Sequence, residues 1–380
     1  MKVKIGDVCT LKSGTSLKEN VLNDTDGIPY IKVSDMNLIG NEKYIITANS
    51  YADESISTKM LFPKGTILFP KRGGAIGTNK KRIANRVVCA DLNTMGVIPS
   101  EKIRPLFLYY YFQNIDFGTL YNGSSVPQIN NTDIAPMEIE LLSLDEQDEA
   151  IAVLEKIDSI IRKRKTELKK LDDLIKTRFV ELFGDTILNP FGWEKDSLGT
   201  VCDVRDGTHD SPKYHETGYP LVTSKNVTGG KIDLTDCSLI CEEDFNKINE
   251  RSKVDIGDII MPMIGTVGKP VIVDIEPNFA IKNVALIKFE ADSRVLNVYV
   301  RALLQSDYFD DAVLSKVRGG TQKFISLGDI RKLGVLVPPM ELQKQFGAFI
   351  EQTDKSKFIV QKSLEETQKL FDSLMQKYFG

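Results

Sequence analysis

Two histidines, His209 and His215, and five cysteines are the residues of this 380-residue chain best suited to attack a substrate or hold a soft metal. Cys237 and Cys241 stand four apart, and with the two histidines they amount to four zinc donors, but their spacing fits no zinc-finger pattern. Cys9 and Cys202 occupy matching apolar positions, as buried core thiols do. No HExxH helix and no GxSxG nucleophile elbow is present. The glycine-rich stretches RGGAIGTNK (72–80) and GTVGKP (265–270) offer backbone N–H groups as a phosphate cradle does, yet both lack GxxxxGK[ST] spacing. The sequence therefore predicts no catalytic residue and no metal site.

The elements that carry these residues occur twice. IGDVC (5–9) returns as LGTVC (198–202), and Gly14-Thr15 as Gly207-Thr208. GIPYIKVSDM (27–36) matches GYPLVTSKNV (218–227), and FPKGTILFPKRGGAIG (62–77) matches VDIGDIIMPMIGTVG (254–268). NGSSVPQINNTDI (122–134) pairs with RGGTQKFISLGDI (318–330). A unit of about 190 residues far exceeds solenoid repeats of about 20–50 residues, so this is a duplicated domain with its connector. Each unit opens with short β-branched runs punctuated by Gly and Pro, with helix-like stretches at 104–114 and 297–306: a mixed α/β globule. Gly74, Gly77, Gly265 and Gly268 are expected to shape loops needing positive φ or close backbone approach.

Each globule is followed by a long helical pattern. From Ser143 to Phe183 there is neither proline nor glycine, and apolar residues repeat in sevens. One row holds Gln147, Leu154, Ile161, Leu168, Ile175 and Leu182; the other holds Ala150, Ile157, Arg164, Leu171 and Arg178. Ser143 and Glu146 form a capping box, and Gly184 stops the helix. The second pattern runs from Pro339 to Phe379. Large residues of one helix correspond to small or charged residues of the other, which favours packing against each other. The expected domains are 1–142, helix 143–184, 185–338 and helix 339–380. The fold class is thus duplicated α/β (α+β) globular domains, each followed by a long α-helix. Val153, Ile160, Leu174, Phe349, Leu370 and Met375 widen the stripe beyond a two-stranded seam, so either the globules or helices of another protein cover them.

Charge and hydropathy narrow the classes further. A net charge of −4 argues against coating nucleic acid but leaves room for local basic patches. No run of eighteen apolar residues exists, and the N-terminal MKVKIGDVCTLKSG lacks an apolar signal core, so a cytoplasmic location is expected. An odd cysteine count suits free thiols. Asn189-Pro190-Phe191 echoes the Asn-Pro-Pro-Tyr/Phe motif of DNA amino-methyltransferases with one proline missing, and reads as a turn.

Across essentially its whole length the chain resembles the DNA-specificity subunits of type I restriction–modification systems. The second unit carries the resemblance through DGTHDSPKYHETGYPLVTSKNVTGGKID (206–233), IGDIIMPMIGTVGKPVIV and RGGTQKFISLGDIRKLGVLVPPMELQKQF. The first carries it through SGTS, DGIPYIKVSDM, RGGAIG, SVPQINNTDI and LDEQDEAI. The resemblance implies a non-catalytic subunit whose two target-recognition domains each read half of a split, asymmetric DNA site. It implies that the helices pair antiparallel as a spacer and dock two adenine methyltransferase subunits, beside translocase–nuclease subunits. S-adenosylmethionine, ATP and Mg would then belong to those partners, with no cofactor on this chain.

Candidate contacts follow from side-chain chemistry. Arg72, Lys80, Lys81 and Arg82 flank the first glycine loop, and Lys269, Arg318 and Lys323 sit at comparable places in the second; all are expected to hold phosphates. Gln128, Gln322, Ser125, Thr321, Asn122 and Arg318 are suited to base edges. His209 belongs to the DGTH segment, as a DNA contact or a structural histidine. The run Arg162-Lys163-Arg164-Lys165 suits spacer phosphates, a solvated face or an acidic partner. The alternative from another class is a coiled-coil adaptor joining two ligand-binding modules without DNA.

Overall fold

In GTILFP (65–70) and GDIIMP (257–262) every residue from the third onward is apolar, so neither face of such a strand is meant for water. The computed structural model, which describes residues 1–120, 127–264, 269–313 and 324–380, makes them the strands Ile67–Pro70 and Ile259–Pro262, buried throughout. The chain forms two compact units, residues 1–165 with 362–380, and residues 166–361.

In the first unit one five-stranded sheet runs Cys9–Ser13, Thr94–Pro99, Ile67–Pro70, Arg82–Ala84, Tyr44–Ile45 in spatial order. A second holds Ile28–Ile31 parallel to Val88–Ala90. Lys2–Lys4 pairs antiparallel with Glu138–Glu140. The helix Pro105–Gln113 carries an unbroken apolar and aromatic run and fills the core with Phe107, Leu108 and Phe112. The second unit repeats the plan. Asp203–Asp206, Val284–Lys288, Ile259–Pro262 and Val271–Ile272 form a four-stranded sheet, Tyr219–Val222 lies parallel to Ala280–Ile281, and Glu194–Ser197 pairs with Gly334–Val337. In the second unit the chain passes from the strand Ser238–Ile240 through the helix Glu242–Ser252 before reaching Ile259–Pro262.

The long helices span Leu144–Phe183 and Met340–Phe379, forty residues each, or about 60 Å at ~1.5 Å per residue. Ser143 caps the first: its amide and hydroxyl donate to Glu146 Oε2 at 2.8 and 2.7 Å, and Gly184 ends it at φ +78°. Each helix is fastened to the domain before it by a fully buried glutamine. Gln147 Oε1 accepts from the Arg104 amide at 2.8 Å, while its Nε2 donates to the Lys102 and Leu142 carbonyls at 3.0 and 2.9 Å. Gln343 makes the same three bonds to the Leu296 amide and the Arg294 and Pro338 carbonyls.

Within each unit the helices run antiparallel. In the first, Ala150 and Leu154 share a core with Met375, and Arg164 Nη1 donates to the Ser363 carbonyl at 2.5 Å and to the Thr367 hydroxyl. In the second, Phe179 and Phe183 meet Phe346 edge-on, and Lys357 pairs with Asp172 at 2.6 Å. Phe179 and Phe183 lie outside the heptad rows read from the sequence, because Tyr299 of the second domain stacks on Phe179 and draws the apolar stripe toward itself.

Candidate nucleic-acid interface

Strand register decides which loops gather. In the first unit Ser13 lies opposite Met95 and Pro70 opposite Thr94, so the segments after Ser13 and after Pro70 leave the same end of the sheet. In the second unit Asp206 lies opposite Ala285 and Pro262 opposite Val284, which brings out the equivalent segments together.

The first turn at this end requires glycine. A Cβ on Gly14 would sit 2.0 Å from the Asp91 carbonyl oxygen, and one on Gly207 would sit 2.5 Å from that of Ile281. Gly14 and Thr15 donate their amides to the Thr94 and Ala90 carbonyls at 2.9 and 2.8 Å, and Gly207 and Thr208 to those of Val284 and Ile281 at 3.0 Å each. The glycine loop and the motif near 128 also meet twice. Arg72 bridges to Gln128, with the Ile129 amide donating to the Lys71 carbonyl at 2.9 Å; Ile264 bridges to Phe324, with Ile325 donating to Met263 at 2.9 Å.

The predicted contacts divide accordingly. Arg72 is exposed at the meeting point with Gln128, whose Nε2 donates to Asn130 Oδ1 at 2.6 Å. Lys80 is half-exposed and touches Asn37 Oδ1, and Lys269 is exposed. Lys81 requires correction: it is fully buried, donating to Asn79 Oδ1 and the Ile115 carbonyl at 2.6 Å each, with its ammonium 4.3 Å from the Phe117 ring centre. Burial pushes its pKa down to about 8. It ties the glycine loop to residues 115–117 and has no surface to offer a phosphate. Arg82 is likewise structural, donating to the Lys81 and Met36 carbonyls at 2.9 and 3.0 Å. Gly74 and Gly77 need neither positive φ nor close packing, since a Cβ on either would meet nothing within 4 Å; Gly73 is the residue with positive φ, at +69°. Asn122, Ser125, Gly265, Gly268, Arg318, Thr321, Gln322 and Lys323 lie outside the described residues.

His209 stands at this end of the second sheet. Its Nε2 is 2.9 Å from Asp206 Oδ2 and its Nδ1 2.9 Å from Asn283 Oδ1. Those hydrogen bonds, to Asn283 first and then Asp206, hold the imidazole above its ordinary pKa. Asp206 also receives Arg251, which sequence reading missed because it sits on a helix more than forty residues away with no motif around it. Cys9, Cys89 and Cys202 are buried, their thiols pushed up to about 12 by desolvation.

On the helices, Met375 also requires correction as a partner contact: at 5% exposure it belongs to the first unit's core, facing the Ala150 side. Arg164 lies in the helix seam through its bonds to Ser363 and Thr367. Val153, Leu174 and Leu370 are exposed, and Ile160 and Phe349 are half-buried, the latter beneath the Arg178 guanidinium. Phe358 and Ile359, which the heptad reading passed over, are more exposed still at 71% and 67%. Among the described residues no helix is long and apolar enough to cross a membrane, and no group of three or more His, Cys, Asp or Glu could hold a metal.

Two copies of one scaffold, each presenting loops of different sequence at the same sheet end and followed by a long helix, define a modular recognition protein. The chain belongs to the family of the type I restriction modification DNA specificity domain, whose profile matches residues 1–170 and again 190–368. It is similar to the type I restriction enzyme MjaIX specificity subunit of Methanocaldococcus jannaschii, 24% identical over 98% of this chain and 91% of that protein. In fold it is similar to the type I restriction–modification S subunit of M. genitalium, with a TM-score of 0.56, 16% identity and coverage of 100% of this chain and 96% of the other. A chain from a structure concerned with complex assembly and conformational transition of the type I R-M system gives a TM-score of 0.57 at 18% identity, covering 100% and 97%.

Proposed function

We propose that this chain selects the DNA sequence on which a type I restriction–modification complex acts, each domain reading one half of a bipartite, asymmetric target. The observation that carries this is the duplicated sheet end: corresponding glycine turns at Gly14 and Gly207, each with the same pair of amide bonds to the facing turn, aim segments whose side chains differ, as two half-sites of different sequence require. Phosphate contacts from Arg72, Lys80 and Lys269 supply register, and base edges are read by the neighbouring polar groups, Gln128 among them. The chain contributes recognition and no chemistry; two adenine methyltransferase subunits dock on the exposed apolar residues of the helices. Those subunits carry S-adenosylmethionine, and translocase–nuclease subunits carry ATP and Mg, all in the cytoplasm.

The test is electrophoretic retardation of genomic fragments by the purified chain, alone and with a methyltransferase partner. A subset of fragments should be retarded and share a split sequence. Failure to retard any fragment in either condition would overturn the reading in favour of an adaptor that does not touch DNA.

A further inference from the structure

The net charge of −4 makes each exposed cation at the recognition end informative, and in the second unit two of them converge on one carboxylate. Asp206 is 10% exposed and closes the strand Asp203–Asp206. Its Oδ2 meets His209 Nε2 and its Oδ1 meets Arg251 Nη2, while the His209 and Arg251 side chains are 63% and 70% exposed. The backbone beside His209 is fixed, because Thr208 bridges to Lys282 and the Asn283 amide donates to the Thr208 carbonyl at 3.2 Å. Asn283 itself holds a left-handed φ of 55°, which places its Oδ1 against Nδ1. Both ring nitrogens lie 2.9 Å from an oxygen, Asp206 Oδ2 and Asn283 Oδ1, and the doubly protonated imidazolium donates to both.

We propose that His209 and Arg251, positioned by Asp206, form a phosphate-binding site for the DNA backbone whose charge depends on the protonation of His209. The inference rests on the DNA-reading role proposed above. With neutral His209, one carboxylate balances one guanidinium; with protonated His209, the site carries one net positive charge. The other charged or titratable groups on the elements around it are Asp203 and Arg205 on the strand, Asp210, Lys213, His215 and Glu216 in the loop, Lys282 on the facing turn, and Glu242, Glu243, Asp244, Lys247 and Glu250 on the helix that carries Arg251. Arg205 is engaged with Asp203 at 2.5 Å and donates to the Arg251 carbonyl at 2.9 Å, and Lys282 donates to Ser211 Oγ at 2.7 Å. The chain's other histidine, His215, lies in the same loop, so the His209 substitution isolates this group; the hydrogen bonds to Asn283 and Asp206 raise the His209 pKa from the ordinary value.

The test measures binding of the full chain to a mixed-sequence duplex as a function of salt, at about pH 6 and about pH 8, on either side of an ordinary histidine pKa. The wild-type salt slope should be steeper at the lower pH by about 0.9, one phosphate contact. His209→Gln should remove that increment and leave the slope at the higher pH unchanged, whereas Arg251→Ala should flatten the slope by about 0.9 at both. Because the chain has two histidines, proton NMR with His215→Gln as the assignment control follows His209 directly. Asp206→Asn should lower its titration midpoint, and added duplex should raise the midpoint in the wild type. Coincident slopes for wild type and His209→Gln at both pH values, with DNA still bound, would overturn this inference alone. Absence of binding to any duplex would overturn it together with the DNA-reading role.

Discussion

The two units differ most where their scaffolds agree best. At the sheet end of the first, Ser13 accepts Lys71 Nζ at 2.7 Å, and the turn between Ala90 and Thr94 is closed by Asp91, which takes Asn93 and the Thr94 hydroxyl. At the matching place in the second, Asp206 replaces Ser13 and Met263 replaces Lys71. The turn is one residue shorter, and Asn283 faces His209. The strands, the glycine turns and the glutamine fastenings are common to both. Duplication has kept what aims the loops and released what the loops present, as expected when one frame serves two different half-sites.

The largest expected effect asks whether the second unit stands by itself. Phe346 packs fully buried against Phe179 and Phe183, and its counterpart in the first helix is Ala150. Phe346→Ala should cost about 3–5 kcal/mol. The chain's one tryptophan, Trp193, donates to the Phe183 carbonyl at 3.1 Å, so its fluorescence in a urea titration reports this loss. A change under about 1 kcal/mol would mean that the helix pair is not what holds this unit.

The glutamines sharpen the comparison. Gln343→Ala should destabilise the second unit by about 1–3 kcal/mol, because it strands buried main-chain groups. Gln147→Ala should do the same to the first, with hydrogen exchange near Lys102 and Arg104 accelerated and the Trp193 transition moved less. Equal shifts of that transition by both variants would break the two-unit description.

The smallest effect separates two cations that flank one loop. Lys81 falls from an ordinary 10.5 to about 8 in the folded chain, so between these values the unfolded chain holds the extra proton and stability rises with pH. Lys81→Met should abolish that rise, on the order of 1–2 kcal/mol in the difference from wild type. Arg72→Ala should leave stability within about 0.5 kcal/mol at every pH. A wild-type curve parallel to that of Lys81→Met across this window would show Lys81 to be solvated.

Much of the frame was legible in the sequence because it follows from local pattern. The buried strands at 67 and 259, the capping box at Ser143 and the stop at Gly184 each declare themselves within a few residues. What stayed hidden depends on contacts far along the chain. Lys81 reads as one more basic residue beside a glycine loop until Ile115 and Phe117 enclose it, and Met375 reads as surplus until the first unit's core surrounds it. His209 was visible as chemistry, but the Asp206–Arg251 pairing that gives it a role joins residues 45 apart.

Every bond made by Gln147 and Gln343 ends on main chain: one amide and two carbonyls in each case. A joint built that way asks nothing of the side chains it grips. The rest of each seat is side-chain packing, Ala150 and Leu154 in the first core and Phe346 and Ile350 in the second, so the glutamine is the part of the joint that tolerates substitution around it. The glutamine acts as a standard coupling, the same in both units although the residues it grips differ.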